Sequence, residues 1–237
     1  MTATVRAATM ADLDGMVDVE LRAFDDAYGG EPSPELVASV RQIWAGRLGI
    51  LGEWARVLET PADGIIGLLL CCPADPARYA QVRQHFQLDD DDLLRMVFGE
   101  PATAYVLNLA VVGSERHLAG SLRLFADLRA RARRFSIRRL YFHSRVIGFA
   151  GWLADEFPDA DPTALPPAER LRLAQRYSKS TMPNDNTRPL DRLLRMYVDR
   201  GCQVLGVTSG WSLDRLSLGY GVLCRRDLPP QPRSAPA

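Results

Sequence analysis

After a short extended start, hydrophobic residues in the N-terminal third of the chain follow first a helical and then an extended pattern. Residues 4–8 form a short extended segment, and Thr9 then opens a helix with a Thr-x-x-Asp capping sequence. Apolar residues at helical spacing predict a second helix over 34–47. Two extended runs, 52–59 and 64–72, flank a Pro-Ala-Asp-Gly turn. This arrangement is typical of a β-hairpin.

The middle of the chain carries the clearest pattern. Residues 103–112 form one continuous apolar run, which indicates a strand buried on both faces. A polar loop over 113–117 leads into an amphipathic helix predicted over about 119–135, and a further strand is predicted over 137–146. This strand–helix–strand unit of about 40 residues is long enough for a right-handed crossover between parallel strands.

Two proline-rich stretches, 73–101 and 147–186, interrupt this order, and we predict both as insertions within one domain. The second is expected to hold a single helix over 168–177. The proline-rich segment 229–237 is predicted as a disordered tail, so that the folded domain spans 1–228. The remaining pattern predicts one more helix, 189–200, and two closing strands, 203–208 and 217–226.

Composition narrows the classes of function. The 29 lysine and arginine residues balance 29 acidic residues, so no overall basic field draws the protein to nucleic acid or to an anionic membrane. The four cysteines show no CxxC spacing and the three histidines lie far apart in sequence, so no metal site is predicted. The N-terminus lacks a signal-peptide pattern, and the longest apolar run, 65–72, is too short to span a bilayer. We therefore expect a cytoplasmic protein without a membrane partner.

The loop after the buried strand has the make-up of a phosphate-binding site. It reads Gly113-Ser-Glu-Arg-His-Leu-Ala-Gly-Ser121, and its small residues allow a ligand to approach the backbone. The free amides and the dipole of the following helix favour an anion. Eight arginines between positions 116 and 139 add positive charge nearby, and those closest to the helix start are candidates to meet phosphates. An ordinary capped crossover without a ligand fits the same pattern.

Two motifs carry a resemblance to a known family. They are Leu109-Ala-Val-Val-x-x-x-Arg116-x-x-Ala-x-Ser121 and, downstream, Arg195-Met-Tyr197-Val-Asp-Arg-Gly201. In this order, after an N-terminal strand, helix and hairpin, the chain resembles the GNAT (N-acetyltransferase-like) acyltransferase superfamily. The family's coenzyme A loop reads Arg/Gln-x-x-Gly-x-Gly/Ala, and small residues other than glycine replace both glycines here. The resemblance implies an α/β fold with a central mixed sheet of about seven strands, flanked by helices.

The resemblance also implies transfer of an acyl group to a small-molecule acceptor, with acyl-CoA as the co-substrate or an acyl carrier protein as the acyl donor. Tyr197 would stand beside the sulfur of the coenzyme as a general acid. A phenol has a pKa of about 10 and a thiol one of about 8.5, so a hydrogen bond to the thiolate is the safer role. Backbone groups of Leu109, Ala110 and Val111 would hold the pantetheine arm, and amides of Arg116, His117, Leu118, Ala119, Gly120 and Ser121 would hold the pyrophosphate.

The general base is the weak point of this assignment. Many members of the superfamily carry a glutamate on the strand before the coenzyme loop, where this chain has Leu107. His143 is a candidate because it lies at the C-terminal end of its predicted strand, where open α/β sheets place their sites. Ser144 follows it and is a further candidate. A packed histidine without a catalytic role fits the same position.

A narrower resemblance leaves the reaction open. Residues 191–197 and 219–223, together with Ser144-Arg145, are similar to GNAT-like loading domains of polyketide synthases, which load or decarboxylate malonyl-type thioesters. Those domains carry a histidine where Tyr197 stands, which favours ordinary acyl transfer here. The alternatives are a thioester decarboxylase or loading protein of secondary metabolism, with an acyl carrier protein as partner, and a binding protein that has lost catalysis. Dimers are common in the superfamily, so the resemblance also suggests a homodimer.

Overall fold

The computed structural model describes residues 3–75, 99–113, 115–158, 161, 164–209 and 214–229, and it describes the side chains of all of these except 115–119. Most of the predicted insertion at 73–101 and nearly all of the predicted tail at 229–237 lie outside these residues.

Seven strands form one mixed sheet in the order β1-β2-β3-β4-β5-β9-β8. Neighbouring strands are antiparallel except β4 and β5, which are parallel as the crossover pattern predicts. The predicted seven-stranded mixed sheet is therefore confirmed. Its strands are β1 (Thr4–Ala7), β2 (Ala55–Thr60), β3 (Gly64–Pro73), β4 (Thr103–Val111), β5 (Arg139–Arg145), β8 (Gln203–Ser209) and β9 (Tyr220–Asp227).

Helices cover both faces of the sheet. The described helices of four residues or more are α1 (Leu13–Ala23), α2 (Asp25–Tyr28), α3 (Pro34–Leu51), α4 (Glu115–Arg134), α5 (Phe149–Glu156), α6 (Pro167–Lys179) and α7 (Arg192–Val198). A Cβ at Gly15 of α1 would touch Ile65 of β3, whereas one at Gly120 of α4 would touch Leu58 of β2, whose side chain is on the opposite face.

The segment 147–186 is more regular than its prolines suggest. Besides α6, which the sequence predicts, it contains α5 and a two-stranded hairpin of β6 (Thr181–Met182) and β7 (Asp185–Pro189). Pro167 occupies the first turn of α6, where a proline removes no helical hydrogen bond. Phe149 and Tyr177 pack in a second apolar cluster with residues of β9. This segment is therefore part of the folded core and not an irregular excursion.

Two helices extend four residues beyond a predicted end. Helix α3 continues to Leu51, four residues beyond the predicted end, because Leu48 and Leu51 are buried in the main core. Helix α4 begins at Glu115, four residues before the predicted start. The polar residues at 115–117, which look like a loop in the sequence, are thus the first turn of the helix. No described helix is long and apolar enough to cross a membrane.

Candidate active site

Strands β4 and β5 separate in the middle of the sheet. Their pairing runs from Thr103 opposite Arg139 to Val106 opposite Phe142 and ends there, although both strands continue. At the same point the register of β4 against β3 shifts by one residue at Leu107. A bulge of this kind bends a strand and increases its twist. The result is a gap between two parallel strands at the centre of the fold.

A cavity of about 800 Å³ lies at this gap. Its walls come from α1, α2, α3, β4, β5 and α7, with one residue of α4 and the segment at Asp214 and Arg215. Six residues that the sequence singles out line this one cavity although they are far apart in the chain, namely Leu109, Ala110, Val111, His143, Ser144 and Tyr197.

His143 is buried and is held by a neighbouring strand. Its Nδ1 atom shares a hydrogen bond with the hydroxyl of Tyr105 on β4. Ser144, the next residue on β5, points to the opposite face of the sheet. Its hydroxyl donates to the carbonyl oxygen of Arg145 at 2.9 Å. His143 and Ser144 therefore line one cavity from different sides and do not form a catalytic pair with each other.

Tyr197 reaches the cavity from α7. Its ring packs against Phe142, with 4.6 Å between the ring centroids. Phe142 and His143 are consecutive on β5, so their side chains lie on opposite faces of the sheet. Burial raises the pKa of Tyr197, and the thiols of Cys224 and Cys202 act in the same direction. Tyr197 is therefore a neutral phenol at physiological pH, able to donate a hydrogen bond.

The first turn of α4 follows the C-terminal end of β4 along the chain. In a helix that begins at Glu115, the N–H groups without a helical partner are those up to His117, because later ones donate to carbonyls four residues earlier. A Cβ at Gly120 would overlap Cδ2 of Leu58, so this glycine allows α4 to approach β2 closely. Binding of the pyrophosphate by this segment stays a prediction. Because the helix begins at Glu115, the predicted contacts shift toward the amides of Arg116 and His117.

Glu20 of α1 is a polar residue of the cavity that the sequence analysis did not assign to the site. Its Oε2 atom accepts a hydrogen bond from Nδ2 of Asn108 on β4, at 2.6 Å. Burial raises the pKa of Glu20, whereas the charge of Arg47 and the hydrogen bond from Asn108 lower it by less. The signal in the sequence was a carboxylate at an apolar-face position of α1, between Val17 and Phe24.

Comparison with solved structures identifies the fold. The chain superposes on the GNAT-like loading domain of CurA from Lyngbya majuscula with a TM-score of 0.63 and 12% identity, over 96% of this chain and 98% of that one. It superposes on the GphF GNAT-like decarboxylase, solved with isobutyryl-CoA, with a TM-score of 0.60 and 20% identity, over 94% and 98%. The chain has a GNAT fold.

A third GNAT structure agrees over most of the chain. It is the PaiA N-acetyltransferase of Thermoplasma acidophilum, solved with coenzyme A, at a TM-score of 0.52 and 10% identity, over 96% of this chain and 100% of that one. No family model and no curated protein matches the sequence. The low identities restrict this agreement to the fold.

The features of this GNAT fold fit a coenzyme A molecule. Beyond Val106, β4 no longer pairs with β5, so Leu109 and Val111 border the gap with backbone groups that β5 does not bond. The gap leads toward the N-terminus of α4, whose first-turn amides suit a pyrophosphate. The residues present therefore offer a path for the pantetheine arm and an end point for the phosphates.

Asp191 fixes the helix of this GNAT fold that carries Tyr197. It is 1% exposed and occupies the N-cap position of α7. Its carboxylate accepts four hydrogen bonds, from the backbone N–H groups of Leu193, Leu194 and Gly148 and from the hydroxyl of Tyr177. A single buried carboxylate thus joins α7 to α5 and α6.

Arg145 closes the cavity on the α2 side. Its guanidinium contacts Asp214 at 2.6 Å and Asp26 at 3.0 Å, and it lies over the ring of Phe24. Burial alone would lower the pKa of Arg145, but the hydrogen bonds and charge of Asp214 outweigh it and raise the pKa. The cation is therefore permanent and ties β5 to α2 and to the segment before β9.

Proposed function

We propose that this protein transfers an acyl group from acyl-CoA to a small-molecule acceptor by direct attack of the acceptor on the thioester. The observation that carries the proposal is the gap between β4 and β5, which opens into a cavity of about 800 Å³. Tyr197 borders the gap on one face of the sheet and His143 on the other. A thioester lying in the gap would meet a hydrogen-bond donor on one side and an incoming acceptor on the other.

Binding of the coenzyme would use backbone groups more than side chains. Leu109, Ala110 and Val111 would hold the pantetheine arm in an extended conformation along β4. The first turn of α4, with Arg116 and His117, would hold the pyrophosphate through free N–H groups and the helix dipole.

Tyr197 would donate a hydrogen bond to the leaving sulfur. Because burial raises the pKa of Tyr197, complete transfer of its proton to a thiolate is uphill. A hydrogen bond still stabilises the charge that develops on sulfur in the transition state. His143, held by Tyr105, would orient the acceptor on the other face, and Ser144 would contribute to the wall of the gap.

The test is turnover of a panel of acyl-CoAs with amine and hydroxyl acceptors, followed by free thiol and by product mass. Tyr197→Phe is expected to lower kcat by about 100- to 1,000-fold while the Kd for acyl-CoA stays unchanged. Normal turnover by Tyr197→Phe would overturn its role. If acyl-CoA binds but no acceptor is acylated and no thioester is consumed, the protein is a binding protein with a GNAT fold.

Decarboxylation of a malonyl-type thioester is the second candidate. It is supported by the two structures of higher TM-score, whose names describe a loading domain and a decarboxylase. Arg47 is a buried cation in the cavity wall, where it also acts on Glu20. This candidate predicts release of carbon dioxide from malonyl-CoA or methylmalonyl-CoA without any acceptor, and loading of the product on an acyl carrier protein. Dependence of thioester consumption on an acceptor would exclude it.

A further inference from the structure

Strand β4 contains no carboxylate residue, but helix α1 places one beside it. Glu20 lies in the last turn of α1, and its side chain crosses to Asn108, two residues beyond the last residue of β4 that pairs with β5. The bulge at Leu107 shifts the register there, so that Asn108 pairs with Leu70. Glu20 is thereby placed beside the opening of the gap, just before the segment proposed to hold the pantetheine arm.

One oxygen of this carboxylate is available to a ligand. Oε2 accepts from Asn108, whereas Oε1 makes no hydrogen bond to any of the described residues. Glu20 belongs to the wall of the cavity and is half-buried, so this oxygen can be reached from the cavity side. An acceptor-only oxygen in such a position suits an N–H donor.

The groups around Glu20 come from four elements. Tyr28 of α2 has its pKa raised by burial and by Glu20, so it stays a neutral phenol. Arg47 of α3 is the cation that acts on Glu20. On the sheet, Tyr105 and His143 hydrogen-bond to each other, and Arg145 is neutralised by its carboxylate partners.

We propose that Glu20 is the proton acceptor for an amine that attacks the thioester from the α1 side of the gap, and that Asn108 positions its carboxylate. The inference rests on the proposed acyl transfer and assigns the acceptor to the class of amines. The nitrogen lone pair forms a bond to the carbonyl carbon, the carbon–sulfur bond breaks, and its electron pair leaves with the coenzyme thiolate. The proton lost by the nitrogen moves to Oε1 of Glu20 and then to solvent.

The electrostatics suit this role. A base works best when its pKa lies near the working pH, and burial moves the pKa of Glu20 upward from the ordinary value of about 4.3. Activity needs the ionised form, so kcat/KM should rise with pH through this raised pKa. The hydrogen bond from Asn108 favours the ionised form, so its removal should shift that rise to higher pH.

The experiment compares Glu20→Gln with Asp18→Asn on the same helix. In Glu20→Gln the glutamine keeps the shape of the side chain and an oxygen that can accept from Asn108. Asp18 is a suitable control because its carboxylate is exposed and paired with Arg22. With a fixed acyl-CoA and a panel of weakly basic arylamines, which are neutral over the pH range measured, Glu20→Gln should lower kcat/KM at least about 100-fold and abolish the acidic limb of the pH profile. The Kd for acyl-CoA and the melting temperature should stay unchanged, and Asp18→Asn should match the wild type.

Asn108→Ala is the second variant, because it leaves Glu20 in place. It should shift the acidic limb to higher pH, which a purely structural role of Asn108 would not do. A Glu20→Gln enzyme within threefold of the wild type, with the same pH profile, would overturn the assignment and leave acyl transfer standing. A wild type that binds acyl-CoA but acylates no amine would instead overturn the proposed function, and this assignment with it.

Discussion

At the scale of single residues, the start of α1 is stabilised by one buried carboxylate. Asp12 accepts from Arg6 at 2.7 Å and from the N–H and hydroxyl groups of Thr9. The hydrogen bonds from Arg6, more than those from Thr9, lower the pKa of Asp12 to about 2. The Thr-x-x-Asp pattern is visible in the sequence, whereas the contribution of Arg6 appears only when β1 lies beside the helix start.

This pKa shift predicts a loss of stability in acid. A carboxyl group whose folded-state pKa is lowered stabilises the fold at pH values above its unfolded pKa of about 3.9. This stabilisation is lost as the pH falls from about 4 to about 2. Asp12→Asn should therefore lower the free energy of unfolding by about 1–2 kcal/mol at pH 7, a value reduced for the partial exposure of Arg6. Urea titrations at pH 7 and pH 3 measure both effects.

Asp18→Asn is the matched control for that experiment. Both partners of the Asp18–Arg22 pair are more than half exposed, so its loss should change stability by less than about 0.5 kcal/mol. An Asp12→Asn protein as stable as the wild type at pH 7 would contradict the prediction.

At the scale of secondary-structure elements, Gly120 sets the distance between α4 and β2. Gly120→Ala would force its Cβ against buried Leu58, which should lower the free energy of unfolding by about 1–3 kcal/mol. It should also weaken coenzyme A binding, since the first turn of α4 would move with the helix. Gly49→Ala in α3 is the control: apart from its own helix turn, no described atom lies within 4 Å of a Cβ placed at Gly49, so we expect a gain of up to about 1 kcal/mol.

Helix α7 has seven residues and depends on its cap. Asp191→Ala should lower the free energy of unfolding by about 2–4 kcal/mol, because it leaves buried donors without an acceptor as well as removing the N-cap. Activity should fall further than stability alone explains, since Tyr197 is on this helix. Ser33→Ala, which removes the single 3.3 Å cap of α3, should cost only about 0.5–1 kcal/mol. Equal losses in the two variants would contradict the assignment.

At the scale of the whole molecule, most arginines of the crossover lie away from the predicted phosphate-binding turn. Arg131, Arg133 and Arg134 are in the last turn of α4, at the opposite end from its N-terminus. A helix of 20 residues is about 30 Å long, several times the screening length at physiological salt. Cations at this end interact favourably with the negative C-terminal end of the helix dipole. Arg131 also packs over the ring of Trp54.

Charge substitutions distinguish the two ends of α4. Arg129→Gln and Arg134→Gln should leave the Kd for coenzyme A unchanged, whereas Arg116→Gln at the predicted phosphate turn should raise it several-fold. Binding at two salt concentrations measures this directly. A large loss of affinity in Arg134→Gln would mean that the coenzyme lies along the helix rather than at its start.

A homodimer and a cytoplasmic location of the protein stay predictions from the sequence.

Short-range physics in the sequence determined much of the fold. The alternation of apolar residues, the Pro-Ala-Asp-Gly turn and the strand–helix–strand spacing act over a few residues, so the hairpin, the parallel crossover and α3 were predictable. Proline misled the prediction over 147–186, because a proline at the start of a helix and a proline in a loop look alike in sequence. The start of α4 was misplaced because polar residues occur in loops and in first turns alike.

Only the tertiary structure decided which side chains meet. Glu20 and Asn108 are 88 positions apart, and Arg145 and Asp214 are 69 apart, so no local pattern links them. The sequence by itself placed Tyr197, His143 and the β4 residues in a candidate site through ordered motifs. The parting of β4 from β5 and the bulge at Leu107 depend on pairing with distant strands. That pairing makes the cavity and brings a carboxylate from α1 to the strand that lacks one.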